Sequence, residues 1–360
     1  MKKKPLIIPI FIPQEGCRHR CVYCDQTTIS GGSQAPWNRH SIRQHVQSFL
    51  PHQQHRYPVQ LAFYGGSFTL LSAARQRLFL ESAQEFIQRG QVHSLRLSTR
   101  PDAIEDDNLR LLQAMGVKTI ELGAQSYNDR VLAASARGHC SKEIYEATKR
   151  LKKHGFEVGL QLMLGLPGDN RETFLETVAK SIALVPSFVR IYPTIVLSST
   201  PLERLLRSGR YQPLSLKEAV DWCKAGKKCF DSCSIPVIRM GLQPTTTLEG
   251  PGRIVAGPYH PAFGHLVNSA VWQERISPAL RKARLKSPRL VIHTPSSQLS
   301  EIRGHHNSNI NGWLKELKLI SLTTVASDQL KPGEFRVTAQ RETGETGGRA
   351  TRDFQRAACS

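Results

Sequence analysis

From residue 5 to about 240, short apolar runs alternate with longer amphipathic stretches. Leu6–Ile12, Val59–Tyr64, Ser94–Ser98, Lys118–Leu122, Phe156–Met163 and Phe188–Tyr192 are rich in β-branched and aromatic residues, which predicts strands. The stretches between them carry the helical period. After Ser72, a candidate N-cap, Phe79, Ala83, Phe86 and Ile87 fall on one apolar stripe. After Ser141, Ile144, Thr148 and Leu151 repeat at the same spacing, with Lys149, Arg150, Lys152 and Lys153 on the wet side. Six strand-then-helix units predict an α/β fold whose parallel sheet curls into a partial barrel open at one side. In such folds the chemistry sits at the C-terminal ends of the strands.

The texture changes near 245. Thr245–Thr247, Gly250-Pro251-Gly252, Gly257-Pro258 and His260-Pro261 mark turns, Val271–Leu285 reads as a helix rich in Arg and Lys, and Arg289–His293 and Phe335–Val337 read as short strands. Beyond Ala339, Gly, Thr, Arg and Glu dominate, a composition that predicts disorder. The expected organisation is a core barrel over 1–244, a small C-terminal α/β extension over 245–338 and a tail over 339–360.

The apolar start imitates a signal peptide, but Pro9 interrupts it and Gln14-Glu15-Gly16-Cys17 follows instead of a small-residue cleavage site. It reads as a first buried strand of a cytoplasmic chain. No apolar run approaches the ~20 residues of a membrane helix. Lys and Arg number 49 against 29 Asp and Glu, a formal charge of +20. Such an excess favours polyanions, because each phosphate contact releases a counterion, and it equally describes a basic, solvated surface.

Eight cysteines in 360 residues are too sparse for a disulfide framework, yet three lie between positions 17 and 24. Cys17-Arg-His-Arg-Cys21-Val-Tyr-Cys24 follows the first strand directly, with C-x3-C-x2-C spacing. Three thiolates so close along a loop can hold three irons of a four-iron cubane and leave the fourth open to a substrate or cofactor. Zinc would need a fourth ligand, and His19 lies inside the loop itself.

With Tyr23 before the third cysteine, this arrangement resembles the radical S-adenosylmethionine superfamily over roughly positions 5 to 240. The resemblance implies a partial (β/α)6 TIM-like barrel of the radical SAM type, one [4Fe-4S] cluster on Cys17, Cys21 and Cys24, and S-adenosyl-L-methionine chelated at the open iron. It also implies reductive cleavage to a 5′-deoxyadenosyl radical and a low-potential electron donor such as ferredoxin or flavodoxin. Gly65-Gly66-Ser67, at the end of the second strand, is similar to the family's glycine motif, which lets backbone approach the methionyl amine.

Ser98-Thr-Arg100-Pro-Asp102, Leu122-Gly-Ala-Gln125-Ser126, Arg137 and Gln161–Gly168 look like the later strand ends of the oxygen-independent coproporphyrinogen III oxidase group. By that match Gln125 and Arg137 hold the ribose and carboxylate ends of the cofactor. Ser98 and Gln161 stand where that group more often carries Glu and Asp, and Gln26 stands where its motif continues to another cysteine. Arg190–Thr194, Thr200–Glu203 and the long block Val255–Val267 resemble the radical half of the Elongator catalytic subunit, which implies transfer-RNA wobble-uridine modification. No Gly-rich pyrophosphate loop opens a helix after 267, so no acetyl transfer is expected. The alternatives are a tetrapyrrole or small-metabolite radical enzyme and a non-catalytic iron–sulfur protein. Neither a catalytic residue nor an oligomeric state is legible.

Other residues have plainer readings. Cys223, Cys229 and Cys233 read as packing residues, not a second cluster site, and Cys140 and Cys359 receive no role. His260 and His265 are proton carriers or turn stabilisers. Tyr259 and Phe263 are the candidates for stacking a base, and the basic run Lys149–His154 is a solvated helix face or an RNA contact.

Overall fold

The computed structural model describes residues 5–31, 36–50 and 58–340. In chain order its elements are β1 (Leu6–Ile12), α1 (Gln26–Ile29), α2 (Arg39–Phe49), β2 (Val59–Gly65), α3 (Ala73–Gln88), β3 (Ser94–Thr99), α4 (Asp106–Ala114), β4 (Val117–Gln125), α5 (Asp129–Ala134), α6 (Ser141–Lys153), β5 (Glu157–Leu164), α7 (Arg171–Ala183) and β6 (Phe188–Pro193). Then come β7 (Val196–Leu197), α8 (Pro201–Arg207), α9 (Leu216–Ser232), β8 (Val237–Met240), β9 (Ile254–Ala256), α10 (Phe263–Arg284), β10 (Arg289–Thr294), α11 (Leu299–Arg303), α12 (Ser308–Glu316), β11 (Ser321–Ala326) and β12 (Arg336–Ala339).

The chain divides into two compact units, Met1–Pro261 and Ala262–Ser360. The turn-rich segment 245–261 therefore lies in the first unit, where β9 pairs antiparallel with β7.

In the first unit the six expected strands form a parallel sheet in sequence order, the curled half-barrel of a TIM-like fold, and a seventh, β8, extends it beside β6. β8 escapes the sequence pattern because it is four residues long and only partly buried. β2 shows why these segments become strands: Val59, Leu61, Ala62 and Phe63 are all wholly buried, as in a parallel strand covered on both faces. The helices start where capping residues satisfy their free N–H groups. Ser72 accepts from Arg75 N at 3.3 Å at the start of α3, and Asn170 from Thr173 N at 2.9 Å at α7. Cys140, without a role in the sequence, caps α6, and its N–H donates to Glu143 Oε2 at 2.7 Å. Phe79, Ala83 and Phe86 are buried as their spacing predicts, and so are Ile144, Thr148 and Leu151. Two residues of the basic run on α6 are engaged locally: Arg150 donates to Ile104 O at 2.6 Å and Lys152 to Leu184 O at 2.6 Å.

The second unit carries a three-stranded sheet in the order β11-β10-β12, with β10 and β11 parallel. Its core is Trp272, Ile276, Leu280, Leu290, Ile292, Ile302 and Trp313. α10 is longer than the predicted Val271–Leu285 helix, beginning at Phe263. β12 reaches Ala339, and Gln340 N–H donates to Arg289 O at 2.9 Å, so the first two residues assigned to the tail belong to this sheet. The remainder of the tail lies outside the described residues. No helix among the described residues is long and apolar enough to cross a membrane.

Candidate functional site

The C-terminal ends of the first unit's strands surround a cavity of about 860 Å³. Cys17, Cys21, Tyr23, Cys24, Gly65, Gly66, Ser67, Ser98, Gln125, Arg137 and Gln161, every residue the sequence singles out for cluster or cofactor, line it.

The cysteine loop is built by interlocked backbone. After β1, Cys17 N–H donates to Gln14 O at 3.2 Å and Cys24 N–H to Cys21 O at 3.1 Å, closing two tight turns. Gly66 N–H donates to Ile12 O at 2.9 Å and Ser67 N–H to Glu15 O at 2.9 Å, so the segment after β2 is threaded onto the loop. A Cβ at Gly66 would collide with the Glu15 carbonyl, and one at Gly16, whose φ is +74°, with the Ser67 carbonyl. The glycine pair therefore serves the cysteine loop directly. His19 packs its ring over Gly138 and also lines the cavity. Gln26 ties the same parts together: its amide donates to Gly65 O at 2.7 Å and its Oε1 accepts from Gln14 N–H.

Cys21 is buried and Cys17 and Cys24 are partly so. Arg137, delivered by the loop after α5, donates to Cys21 Sγ at 3.1 Å, to Tyr23 Oη at 3.4 Å and to Gly123 O at 2.6 Å. This sets a buried positive charge directly against the cysteine loop. At Cys24 burial dominates. Burial, with Cys21 and Cys17 beside it, pushes its thiol up to about 12, a penalty that a cationic partner shared by the three sulfurs would remove. Among the described residues no three His, Cys, Asp or Glu side chains converge on one ion. Cubane ligands need no such convergence, since each thiolate takes its own iron.

The chain leaves polar atoms unanswered here. Gln125 is 4% exposed, holds a left-handed φ of +66° beside a register shift in β4, and its Oε1 has no partner. Arg137 is buried with Nε unsatisfied. Buried orphans of this kind are uncommon and mark places where a ligand completes the hydrogen bonding. The donor set, the cavity and these orphans fit a cluster and a polar cofactor.

Opposite the cysteines lies a network that sequence reading missed. Glu121, 3% exposed, accepts through Oε1 from Tyr64 Oη at 2.9 Å, Arg96 at 2.9 Å and Arg190 Nη2 at 3.1 Å. Arg190 Nε stands 2.8 Å from Glu121 Oε2 yet makes no hydrogen bond, so that contact is an ion pair without directional alignment. The available signal was a glutamate between Ile120 and Leu122 in the middle of strand β4, because a charge is buried only with partners.

Several other expectations separate from the site. Tyr259, His260, Phe263 and His265 do not line the cavity. Phe263 is 2% exposed, closed to stacking on a base, and Tyr259 donates to Glu249 Oε1 at 2.9 Å beside Ile195, Leu197 and Leu248. The block Val255–Val267 spans the division between the units; Phe263 is a packing residue, whereas Tyr259 is only partly buried. Cys223 is buried, as a small apolar residue would be, whereas Cys229 and Cys233 are exposed on and just after α9.

Comparison with known proteins agrees with this geometry. The Radical SAM superfamily matches residues 11–180 and the Radical SAM C-terminal domain residues 186–273. A protein of Methanocaldococcus jannaschii named tRNA uridine(34) acetyltransferase is 24% identical over 267 residues, 61% of this chain and 49% of its own length. The heme chaperone HemW of Lactococcus lactis is 27% identical over 211 residues, 58% of this chain and 54% of its own. The chain thus spans about half the length of these relatives. A solved structure of the archaeal Methanocaldococcus infernus Elp3, with an N-terminal deletion, shares the fold at TM-score 0.56 and 19% identity, over 78% of this chain and 64% of that one. With both domains of the superfamily matched along most of its length and a curled parallel sheet carrying the cysteine loop, this chain belongs to the Radical SAM superfamily and is an enzyme of it.

Proposed function

We propose that this enzyme holds a [4Fe-4S] cluster on Cys17, Cys21 and Cys24, binds S-adenosyl-L-methionine beside it, and acts on transfer RNA. The observation that carries the cofactor reading is the single cavity lined at once by the three cysteines, Gly65-Gly66-Ser67 and the unsatisfied polar atoms of Gln125 and Arg137. When bound, the pair supplies one-electron cleavage of a sulfonium and a radical that takes hydrogen from a substrate. The protein's own work is placement and exclusion of water. Arg137 holds positive charge against Cys21, Gly65 and Gly66 offer backbone, and Gln125 offers a fixed amide to a ribose or carboxylate oxygen. Ser98 and Tyr23 complete the wall, with Gln161 at its border beside Arg190 on the next strand. Electrons come from a low-potential donor of the ferredoxin or flavodoxin kind.

The substrate reading rests on the tRNA-modifying relatives and the +20 charge. Charge alone gives sequence-blind binding that collapses with salt. Anaerobic reconstitution followed by measurement of 5′-deoxyadenosine, with and without folded transfer RNA, tests both parts. Cleavage stimulated by transfer RNA over a random strand of equal length is the expected result; equal stimulation or none overturns the RNA reading. The similarity to HemW and to a coproporphyrinogen-III oxidase-like protein of Bacillus subtilis favours a tetrapyrrole or small metabolite as the second reading.

A further inference from the structure

The far wall of the cavity carries more positive charge than the protein neutralises. Gln161 on β5 is in register with Arg190 on β6, and Arg190 with Arg239 on β8, so the three stand side by side across neighbouring strands. Residues in register project to the same face, and all three line the cavity. Arg96 and Arg190 share one carboxylate, Glu121. Arg239 has none: it donates to Gly241 O at 3.4 Å and to Gln243 Oε1. Three guanidiniums against one carboxylate leave two positive charges uncompensated among the described residues.

The environment makes that excess informative. The Arg190 side chain is 15% exposed and shares its carboxylate with Arg96, while Arg239 is only partly buried; a charge half-compensated so far from water is costly unless an anion joins it. Arg190 is also fixed in place. Glu121 holds one edge, Tyr64 Oη accepts from Nη2 at 2.8 Å, and the Tyr64 ring lies 5.1 Å from the guanidinium centre. Its Nη1 has only a long 3.3 Å bond to Tyr192 Oη, which leaves donor capacity toward the cavity. Of the cations at the cysteine end, Arg137 faces Cys21, Arg100 grips Asp102 at 2.8 and 3.0 Å, and Arg20 is exposed to water.

We propose that Gln161, Arg190 and Arg239 form an oxyanion subsite that seats a phosphate or carboxylate group of the substrate. A rigid guanidinium fork beside a second arginine and a neutral amide matches the geometry of an oxyanion, and Glu121 acts as the positioning residue that aims the fork. Calling the ligand a substrate rests on the reading of this cavity as the reaction chamber; oxyanion binding itself does not.

The test uses the full chain, with its thermal midpoint followed against sodium phosphate and, separately, sodium acetate, at constant ionic strength set by sodium chloride. A saturable rise is expected with at least one of the two. Preference for phosphate or for acetate identifies the group. In Arg239→Gln the half-saturation concentration should rise about tenfold or more, the loss of one charge-assisted contact. Arg281→Gln, on the second unit and paired with Glu316, should bind like the unaltered chain. Absence of a saturable rise with either anion, or an unchanged half-saturation in Arg239→Gln, overturns the subsite. Measuring 5′-deoxyadenosine on the unaltered chain keeps the two questions apart: cleavage without oxyanion binding sinks the subsite alone, and binding without cleavage sinks the radical reading alone.

Discussion

The two units are built from the same parts, strands backed by helices, all parallel in the main sheet of the first and mixed in the second, and fill their interiors differently. The second unit closes on an apolar core in which even the tryptophans are satisfied: Trp272 Nε1 donates to Glu301 Oε2 at 3.2 Å and Trp313 Nε1 to Ser277 Oγ at 2.9 Å. The first unit lines one face of its sheet with Gln60, Arg96, Glu121, Gln161 and Arg190; both units hold unanswered polar atoms, but Gln125 and Arg137 of the first line its cavity, whereas Ser269 and Thr294 of the second do not. A core that exists for stability has no reason to bury charge, because well-packed hydrophobic residues serve as well or better. The polar interior of the first unit is what the proposed ligands require. Changes there should reach function first, and changes in the second unit stability first.

The largest effect is expected at the cysteines. Replacing Cys17, Cys21 or Cys24 by Ala should abolish the broad charge-transfer absorbance of the reconstituted protein and all formation of 5′-deoxyadenosine. Retained absorbance in any of the three would dissolve the contrast. Gly66→Val comes next. Its side chain meets the Glu15 backbone, so the cysteine loop must shift. Iron content should fall together with S-adenosylmethionine binding, measured by iron assay and calorimetry; normal iron with lost binding would return the glycine to a pure cofactor role.

Two truncations sharpen the energetic side. Trp313→Ala in the second unit should cost about 3–5 kcal/mol in denaturant unfolding, the usual penalty for emptying a fully buried aromatic site. Glu121→Ala in the first should cost a similar 3–5 kcal/mol or so, because it strands Arg96 and Arg190 without their shared carboxylate. Only the second should also lower cofactor cleavage, and equal effects on cleavage would erase the distinction.

A smaller effect lies at His139, buried beside Arg137 and Arg100. Burial first, then those two cations, hold it down at about 3, against an ordinary 6.5. Above pH 6.5 both states are neutral and the group contributes nothing to pH dependence. As pH falls from 6.5 toward 3, the unfolded chain takes up a proton that the folded one refuses, so stability drops. His139→Leu should flatten that acid slope in urea midpoints measured at successive pH values; an unchanged slope would remove the histidine from the cluster of buried charges. The smallest effect is expected at Cys229→Ser with Cys233→Ser, both exposed, where iron content should be unaltered and stability within about 0.5 kcal/mol.

Much of this was legible along the chain. The six strands, the helices after Ser72 and Ser141 and the cysteine spacing are local periodic signals, set by which side chains must leave water and by how few residues separate the thiols. The family resemblance also nominated Gly65, Gly66, Gln125 and Arg137 before any geometry. Other features were decided only when distant segments met. β8 is too short to announce itself and exists because β6 offers it an edge. Gly66 was legible as a glycine of the cofactor motif, but its second constraint, the Glu15 carbonyl 51 positions earlier in the chain, appeared only in the fold. Phe263 looked free to stack until its burial closed it off. The Glu121 network joins β2, β3, β4 and β6, and no window along the sequence contains it. Hydrophobic period and turn chemistry act over a few residues and can be read one segment at a time. Charge compensation and steric exclusion depend on which strands become neighbours, so only the tertiary structure could settle them.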